Sequence, residues 1–298
     1  MSRRYALLDV FTDTALNGNP LAVVLDAEEL SDEAMQSIAK EFNLSETVFV
    51  LPTKKPAHTA KMRIFTPTTE LPFAGHPTVG TSVLLGLEKF PSSSVRDSLI
   101  ILEQEIGSIR AGVNLDENNA RAEFDIPKLP ETPAAFGDKD LIASSLMLDP
   151  REIGFENHRI SMASAGVPFI MVPVRDLDVL GRCRVSERHR VEAFGDHEIY
   201  VYTRETMSEA NDFHARMFAP SMGIPEDAAT GSAAASFSGV IMAFDDPRDG
   251  THNYRIEQGH FMGRPSLIEL ELVIKARELS AVRIGGHAVV VARGELIL

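Results

Sequence analysis

The chain has 298 residues, 44% hydrophobic and 24% charged, with a net charge of −14 and a single cysteine, Cys183. That balance excludes a disordered chain. The acidic surface argues against nucleic acid or an anionic membrane as a partner, and one thiol leaves no intramolecular disulfide, as a reducing compartment favours.

In chain order, β-rich runs are predicted at Tyr5–Phe11, Leu21–Leu25, Thr47–Leu51, Lys61–Phe65, Leu99–Leu102 and Ile109–Val113. The second half adds Phe169–Val174, Ile199–Tyr202, Leu267–Val273 and Ala288–Val291. Gly, Pro, Asn or Asp bounds most of them, as strand ends require. Leu30–Phe42 is predicted to be an amphipathic helix. Ser31 is placed to cap it, Asp32 and Glu33 suit the positive end of its dipole, and Leu30 can staple onto Met35. PTVGTSVLLGL (Pro77–Leu87) and SAAASFSGVIMAF (Ser232–Phe244) are apolar or small on every side, the pattern of buried helices. MSRRYALLDVF has no apolar stretch of signal-peptide length, and no run of membrane-spanning length occurs, so a cytoplasmic protein is expected.

The chain repeats itself. Arg63, Phe65, Pro67 and Pro72 form R-x-F-x-P-x4-P, and Arg216, Phe218, Pro220 and Pro225 restate it 153 residues later. Upstream, NGNPLAVV (Asn17–Val24) matches AGVPFIMV (Ala165–Val172), and ETVFV at Glu46 matches EIYVY at Glu198 more loosely. Downstream, each copy runs into a glycine and then a buried helix. Ordered matches at half the chain length predict an α+β protein of two pseudo-symmetric lobes, each a mostly antiparallel sheet around a central buried helix. The polar run at Asp116–Asn119 is read as the division, giving 1–116 plus about 288–298 against 117–287, with a plain hairpin turn as the other reading of that run.

Candidate chemistry gathers at the starts of the two buried helices. Pro77 at a first helical position, with Gly75 before it, leaves first-turn N–H groups able to hold an anion. Thr230-Gly231-Ser232 occupies the equivalent place, and lobes packed about a pseudo-dyad would turn both termini towards one cleft suited to a small carboxylate. The same motifs carry His76, Glu226 and Asp227, while Glu46 stands where a helix exit meets a strand.

DVFTDTALNGNPLAVVLDA, MQSIAKEFNLSETVFV, ELPFAGHPTVGT and EDAATGSAAAS together resemble the signature segments of the phenazine-biosynthesis-protein-F family, and the resemblance runs from Tyr5 to the C-terminal GGHAVVVARGELIL. It implies the diaminopimelate-epimerase fold and an isomerase that uses no cofactor and no metal. Glu46 corresponds to the family's acid/base glutamate. His76, Asp227 and Ser232 are similar to the groups that hold the substrate and assist the proton shift. Gly75 and Gly231 would offer anion-binding backbone, with Thr230 beside them, and Asn19 is a further substrate-facing candidate. A homodimer is implied as well. Glu198 has no implied role and is read as structural. One departure is visible: Ala228 stands where the family commonly has proline, which bears on the stiffness of that loop.

A carboxylate partly withdrawn from water can both take and return a proton, and fixed donors stabilise the enolate formed between the two steps. Epimerisation next to a carboxylate is the alternative outcome at such a site, and a binding protein without turnover is another. The two-cysteine epimerases carry thiols where Ala74 and Thr230 stand here, so a two-thiol mechanism is not expected. Nucleotide-binding glycine loops, a G-x-S-x-G elbow and paired zinc-ligand motifs are missing from the sequence. DDPRDG (Asp245–Gly250) reads as an exposed turn rather than a calcium loop, because Pro247 occupies a ligand position.

Overall fold

The computed structural model describes residues 2–89, 96–116 and 119–298. The chain forms two compact units, Met1–Pro127 with Gly285–Leu298, and Lys128–Ile284. The Glu117–Asn118 step, at which the sequence places the division, lies outside the described residues.

The first unit contains β1 (Ser2–Val10), β2 (Asn19–Val24), α1 (Asp32–Phe42), β3 (Glu46–Leu51), β4 (Ala60–Phe65), β5 (Glu70–Leu71), α2 (Gly75–Lys89), β6 (Arg96–Gln104), β7 (Gly107–Asp116) and β8 (Asn119–Asp125). The second contains β9 (Ala134–Ala135), α3 (Lys139–Ser145), β10 (Ser161–Ser164), β11 (Pro168–Pro173), α4 (Leu177–Arg182), α5 (Arg190–Phe194), β12 (Glu198–Thr203), β13 (Phe213–Ala219), β14 (Ile224–Asp227), α6 (Gly231–Phe244), β15 (Gly250–Gln258) and β16 (Ser266–Lys275). Strand β17 (Glu278–Ile297) begins in the second unit and ends in the first.

In the first unit β1, β2, β3, β4, β6, β7, β8 and the end of β17 pair in that order, and β17 returns to β1. The ring is closed, so it leaves no open sheet edge. Two junctions, β2–β3 and β4–β6, are parallel. Parallel neighbours need a crossover, and α1 and α2 provide the two. Helix α1 is built as its sequence dictates: Ser31 accepts from Ala34 N, Asn43 closes the end in a left-handed conformation, and Met35, Ile38 and Ala39 are buried with Leu30 packed on their cluster. Helix α2 packs on β1, β2, β3, β6, β7 and β8 and is buried from Gly75 to Leu84. It is the axis of the barrel. At Gly80 an added Cβ would stand 2.7 Å from methyl groups of Leu21 and Val10, so glycine lets helix and wall meet without those side chains shifting.

The second unit repeats the order. β11–β12 and β13–β15 are its parallel junctions, and antiparallel β10–β11, β12–β13 and β15–β16 surround them. Helix α6 makes the β13–β15 crossover and packs against β10, β11 and β16. Helices α3, α4 and α5 cover the other face, over a core that includes Ile170, Val172, Ile199 and Val201. Asp249 accepts from the backbone of Ala276 and Arg277, which makes DDPRDG a turn, as expected. Among the described residues no helix is long and apolar enough to cross a membrane.

The repeated R-x-F motif has a structural reason. Arg63 forks onto Glu70 at 2.7 and 2.6 Å and lies over the Phe65 ring. Arg216 forks onto Glu226 at 2.8 Å through both nitrogens and lies over Phe218. Each arginine ties its long strand to the short hairpin leading to the buried helix.

Candidate functional site

In the first unit three elements bring Asn19, Glu46 and His76 together. β2 begins at Asn19, β3 begins at Glu46 with its backbone paired to Leu21, and α2 begins at Gly75. Glu46 Oε2 lies 3.4 Å from His76 Nε2, and Asn19 Nδ2 lies 3.5 Å from His76 Nδ1. The His76 side chain is 4% exposed and that of Glu46 14%. Burial pushes the imidazole down to about 3, so the ring is neutral at pH 7 and carries one proton. With the Asn19 amide donating to Nδ1, that proton sits on Nε2, the ring nitrogen nearer Glu46, and the 3.4 Å contact between them is not a formed hydrogen bond.

The turn before α2 is braced from inside. Thr78 Oγ1 donates to the Ala74 carbonyl at 2.7 Å, and Gln104 Nε2 donates to Thr78 Oγ1 at 3.0 Å. Gly75 and His76 thus stand on a fixed first turn, whose N–H groups a helix leaves without intrahelical partners.

In the second unit Asp227, Thr230, Gly231 and Ser232 also come together. Asp227 ends β14, Thr230 occupies the cap position of α6, and Gly231 and Ser232 are its first residues. Thr230 Oγ1 donates to Asp227 Oδ2 at 2.6 Å instead of capping the helix. Gln258 Nε2 donates to the Asp227 carbonyl at 2.9 Å and to Thr230 Oγ1 at 3.0 Å, while its Oε1 accepts from Thr230 N at 3.3 Å. Asp227 and Thr230 are buried, and Ser232 is half-buried. Glu226, next to Asp227, is occupied by Arg216 and serves the hairpin.

Two glutamines escaped the sequence reading, and Glu198, read there as structural, has an unusual environment. Gln104 and Gln258 close β6 and β15 within a repeated Glu-Gln doublet (Glu103-Gln104 and Glu257-Gln258), a further match at nearly the same spacing. Glu198 opens β12 paired to Phe169 of β11, the register that Glu46 has with Leu21. Burial, and then the charge of Asp227, push its carboxyl up to about 7.

Cys183 is fully buried in the core under α4, and burial pushes its thiol up to about 12, far from a thiolate at neutral pH. A thiol-based proton shuttle has no reactive cysteine here.

The family model described as phenazine biosynthesis-like protein, PhzC-PhzF, matches residues 8–294. The chain is 49% identical to an uncharacterized isomerase of Mesorhizobium japonicum, over all of this chain and 99% of that one. It is 32% identical to trans-2,3-dihydro-3-hydroxyanthranilate isomerase of Pseudomonas fluorescens, with 99% of each chain covered. The crystal structure of the Bacillus anthracis phenazine biosynthesis protein of the PhzF family superposes with a TM-score of 0.89, at 25% identity and with both chains fully covered. The chain therefore belongs to the phenazine biosynthesis-like PhzC-PhzF family, a family of isomerases.

Proposed function

We propose that the protein is a cofactor-independent isomerase that shifts a proton between two carbons of a small unsaturated or cyclic carboxylate, with Glu46 as the acid/base. The observation that carries this reading is the Glu46–His76 pair, a carboxylate 3.4 Å from a neutral buried imidazole at the start of a helix. The relative that acts on trans-2,3-dihydro-3-hydroxyanthranilate supports a substrate of that chemical class.

In the proposed reaction the Glu46 carboxylate takes a proton from an sp3 carbon beside a double bond. The C–H electron pair spreads into an extended enolate, and Glu46 becomes a carboxylic acid. It then gives the proton to the far end of the same π system. The double bond has moved, Glu46 is a carboxylate again, and no electrons have been gained or lost. His76, neutral and with its N–H on Nε2, directs Glu46 and offers a donor to the developing charge. Backbone N–H groups at Gly75 and Gly231, the side chains of Asp227, Thr230 and Ser232, and Asn19 are assigned to holding the substrate. A neutral histidine suits this task, because a cationic one would hold Glu46 as a permanent anion and make it a poor acid.

The test is turnover in D2O with small unsaturated carboxylates, trans-2,3-dihydro-3-hydroxyanthranilate first, followed by NMR and mass spectrometry. Glu46→Gln, folded as judged by circular dichroism, is expected to lose at least about 1,000-fold in rate, within the range for removal of an acid/base group. A Glu46→Gln variant at full activity refutes the assignment. Deuterium entry with inversion at one carbon and no double-bond shift would instead identify an epimerase.

A further inference from the structure

The duplication provides an internal comparison. In the first unit the parallel junction β4–β6 pairs Lys61 with Glu103. In the second the matching junction β13–β15 pairs His214 with Glu257. Three residues after each glutamate stand Ile106 and His260. Glu103 is a half-exposed carboxylate bonded to Thr53 and His58, with Lys55 at 3.7 Å. Glu257 is 2% exposed and His214 fully buried, with His260 half-buried at their side. The barrel wall forms in the first unit without histidine at either place, so the fold itself does not require the two imidazoles.

We propose that His214, Glu257 and His260 form a binding site for one divalent transition-metal ion, zinc by preference. Their three ligand atoms all lie within 4.8 Å of one another. Tetrahedral zinc with nitrogen and oxygen ligands at about 2.1 Å sets them about 3.4 Å apart, so the widest separation in the group has to close by up to about 1.4 Å around an ion. Nε2 of His214 is buried with no hydrogen-bond partner among the described residues, and Nδ1 of His260 is buried as well. Glu257 Oε2 is 2.8 Å from His214 Nδ1 and pairs with it, which leaves Nε2 as the open nitrogen of that ring. Buried ring nitrogens in that condition are costly unless something coordinates them.

The surroundings are arranged as a ligand's outer shell. The Glu257 carboxylate is aimed by Met207 N at 2.7 Å, Ser208 N at 2.9 Å and Asn211 Nδ2 at 2.6 Å. Two imidazoles and one carboxylate suit zinc better than calcium or magnesium, which take oxygen ligands. Half-exposed His260 is the side from which an ion enters, and a fourth position remains for water. A second group with suitable spacing, Glu156, His158 and Asp245, is already neutralised: Arg204 Nη2 lies 2.6 Å from Asp245 Oδ1 and 3.3 Å from His158 Nε2. A guanidinium there excludes a divalent cation.

The experiment uses the full chain without an affinity tag, stripped with a chelator, titrated with zinc by calorimetry and with cobalt(II) by visible absorption. The wild type is expected to take up one equivalent of each, to show d–d bands of a nitrogen- and oxygen-ligated cobalt, and to melt at a higher temperature with zinc. His260→Ile, which installs the residue of the first repeat, is expected to bind at least about 100-fold more weakly and to lose the zinc-dependent rise in Tm. If His260→Ile does not fold, His260→Gln takes its place. Wild-type protein that takes up no equivalent overturns the site, as does an unaltered cobalt spectrum in the folded variant. Uptake abolished by Glu156→Gln but kept in His260→Ile overturns it too.

Discussion

Arg216→Leu is expected to cost far more stability than Arg63→Leu, although the two arginines hold the same place in the repeat. The Arg216 side chain is 4% exposed and that of its partner Glu226 16%; for Arg63 and Glu70 the values are 20% and 32%. Arg216 also donates to the Leu180 carbonyl at 2.9 Å and the Cys183 carbonyl at 2.8 Å, so its loss removes two further hydrogen bonds and strands a carboxylate, although Cys183 N and Arg184 Nη1 still serve those two carbonyls. Removing one partner of a buried pair costs about 3–5 kcal/mol. The third contact of Arg63 is to Asp32, whose side chain is 74% exposed and readily solvated. Its replacement should cost about 1–2 kcal/mol, a little above an exposed pair because the fork is bidentate. In thermal unfolding these become a Tm drop on the order of 10 °C for Arg216→Leu and of a few degrees for Arg63→Leu. The chain has no tryptophan, so circular dichroism is the signal to follow. Equal losses would refute the argument, since they would mean that burial of the second pair adds nothing.

Glu198 yields a prediction with a definite sign. Its folded carboxyl is raised to about 7, above the ordinary 4.5, so between those values the folded chain holds a proton that the unfolded chain has released. Stability then falls as pH rises through this window. Glu198→Gln removes that dependence and should stabilise the protein at pH 8 by roughly 1–3 kcal/mol while changing little at pH 4.5; a variant equally stable or less stable at pH 8 contradicts the burial argument. Gln258→Ala removes three hydrogen bonds from the Asp227–Thr230 loop and leaves the Thr230 N–H and the Asp227 carbonyl without their glutamine partner. It should cost about 2–4 kcal/mol in urea unfolding, and on the proposed reading a larger rise in KM than Ser31→Ala, a cap change remote from both helix starts; an unchanged KM would remove Gln258 from the positioning of that loop.

Much of the architecture was legible because local and global signals agree. Ser31 with Asp32 and Glu33 starts α1 where it was expected, and the uniformly apolar runs at Pro77–Leu87 and Ser232–Phe244 are the two buried helices, each starting within two residues of the expected place. The duplication read from Arg–Phe–Pro spacing reappears as matching strand order and parallel junctions. Less was legible where one strand face is wet: Leu99–Leu102 and Ile109–Val113 grew into β6 and β7, whose alternating polar residues hide the ends. The parallel junctions themselves leave no local mark, since pairing partners such as Ala60 and Leu102 are far apart in sequence.

The candidate site divides along the same line. Glu46, His76, Asp227, Thr230 and Ser232 sit in short contiguous motifs, although in the first unit the contacts of His76 with Glu46 and Asn19 join separate motifs. Gln104 and Gln258 act over 26 to 31 residues, and no motif window reaches that far. What reaches that far is the repeat. Laid over each other, the two copies agree at the arginine fork, the glutamine clamp and the glutamate that opens a parallel strand, which are the parts a barrel with a buried axial helix needs. They disagree at His76 against Ser232, at Lys61 against His214 and at Ile106 against His260. A skeleton that both copies keep accounts for the first set by stability alone. The second set needs another cause, and the first of those differences lies at the helix starts assigned to the proton shift, while the other two put imidazoles with buried ring nitrogens, unpartnered among the described residues, beside Glu257.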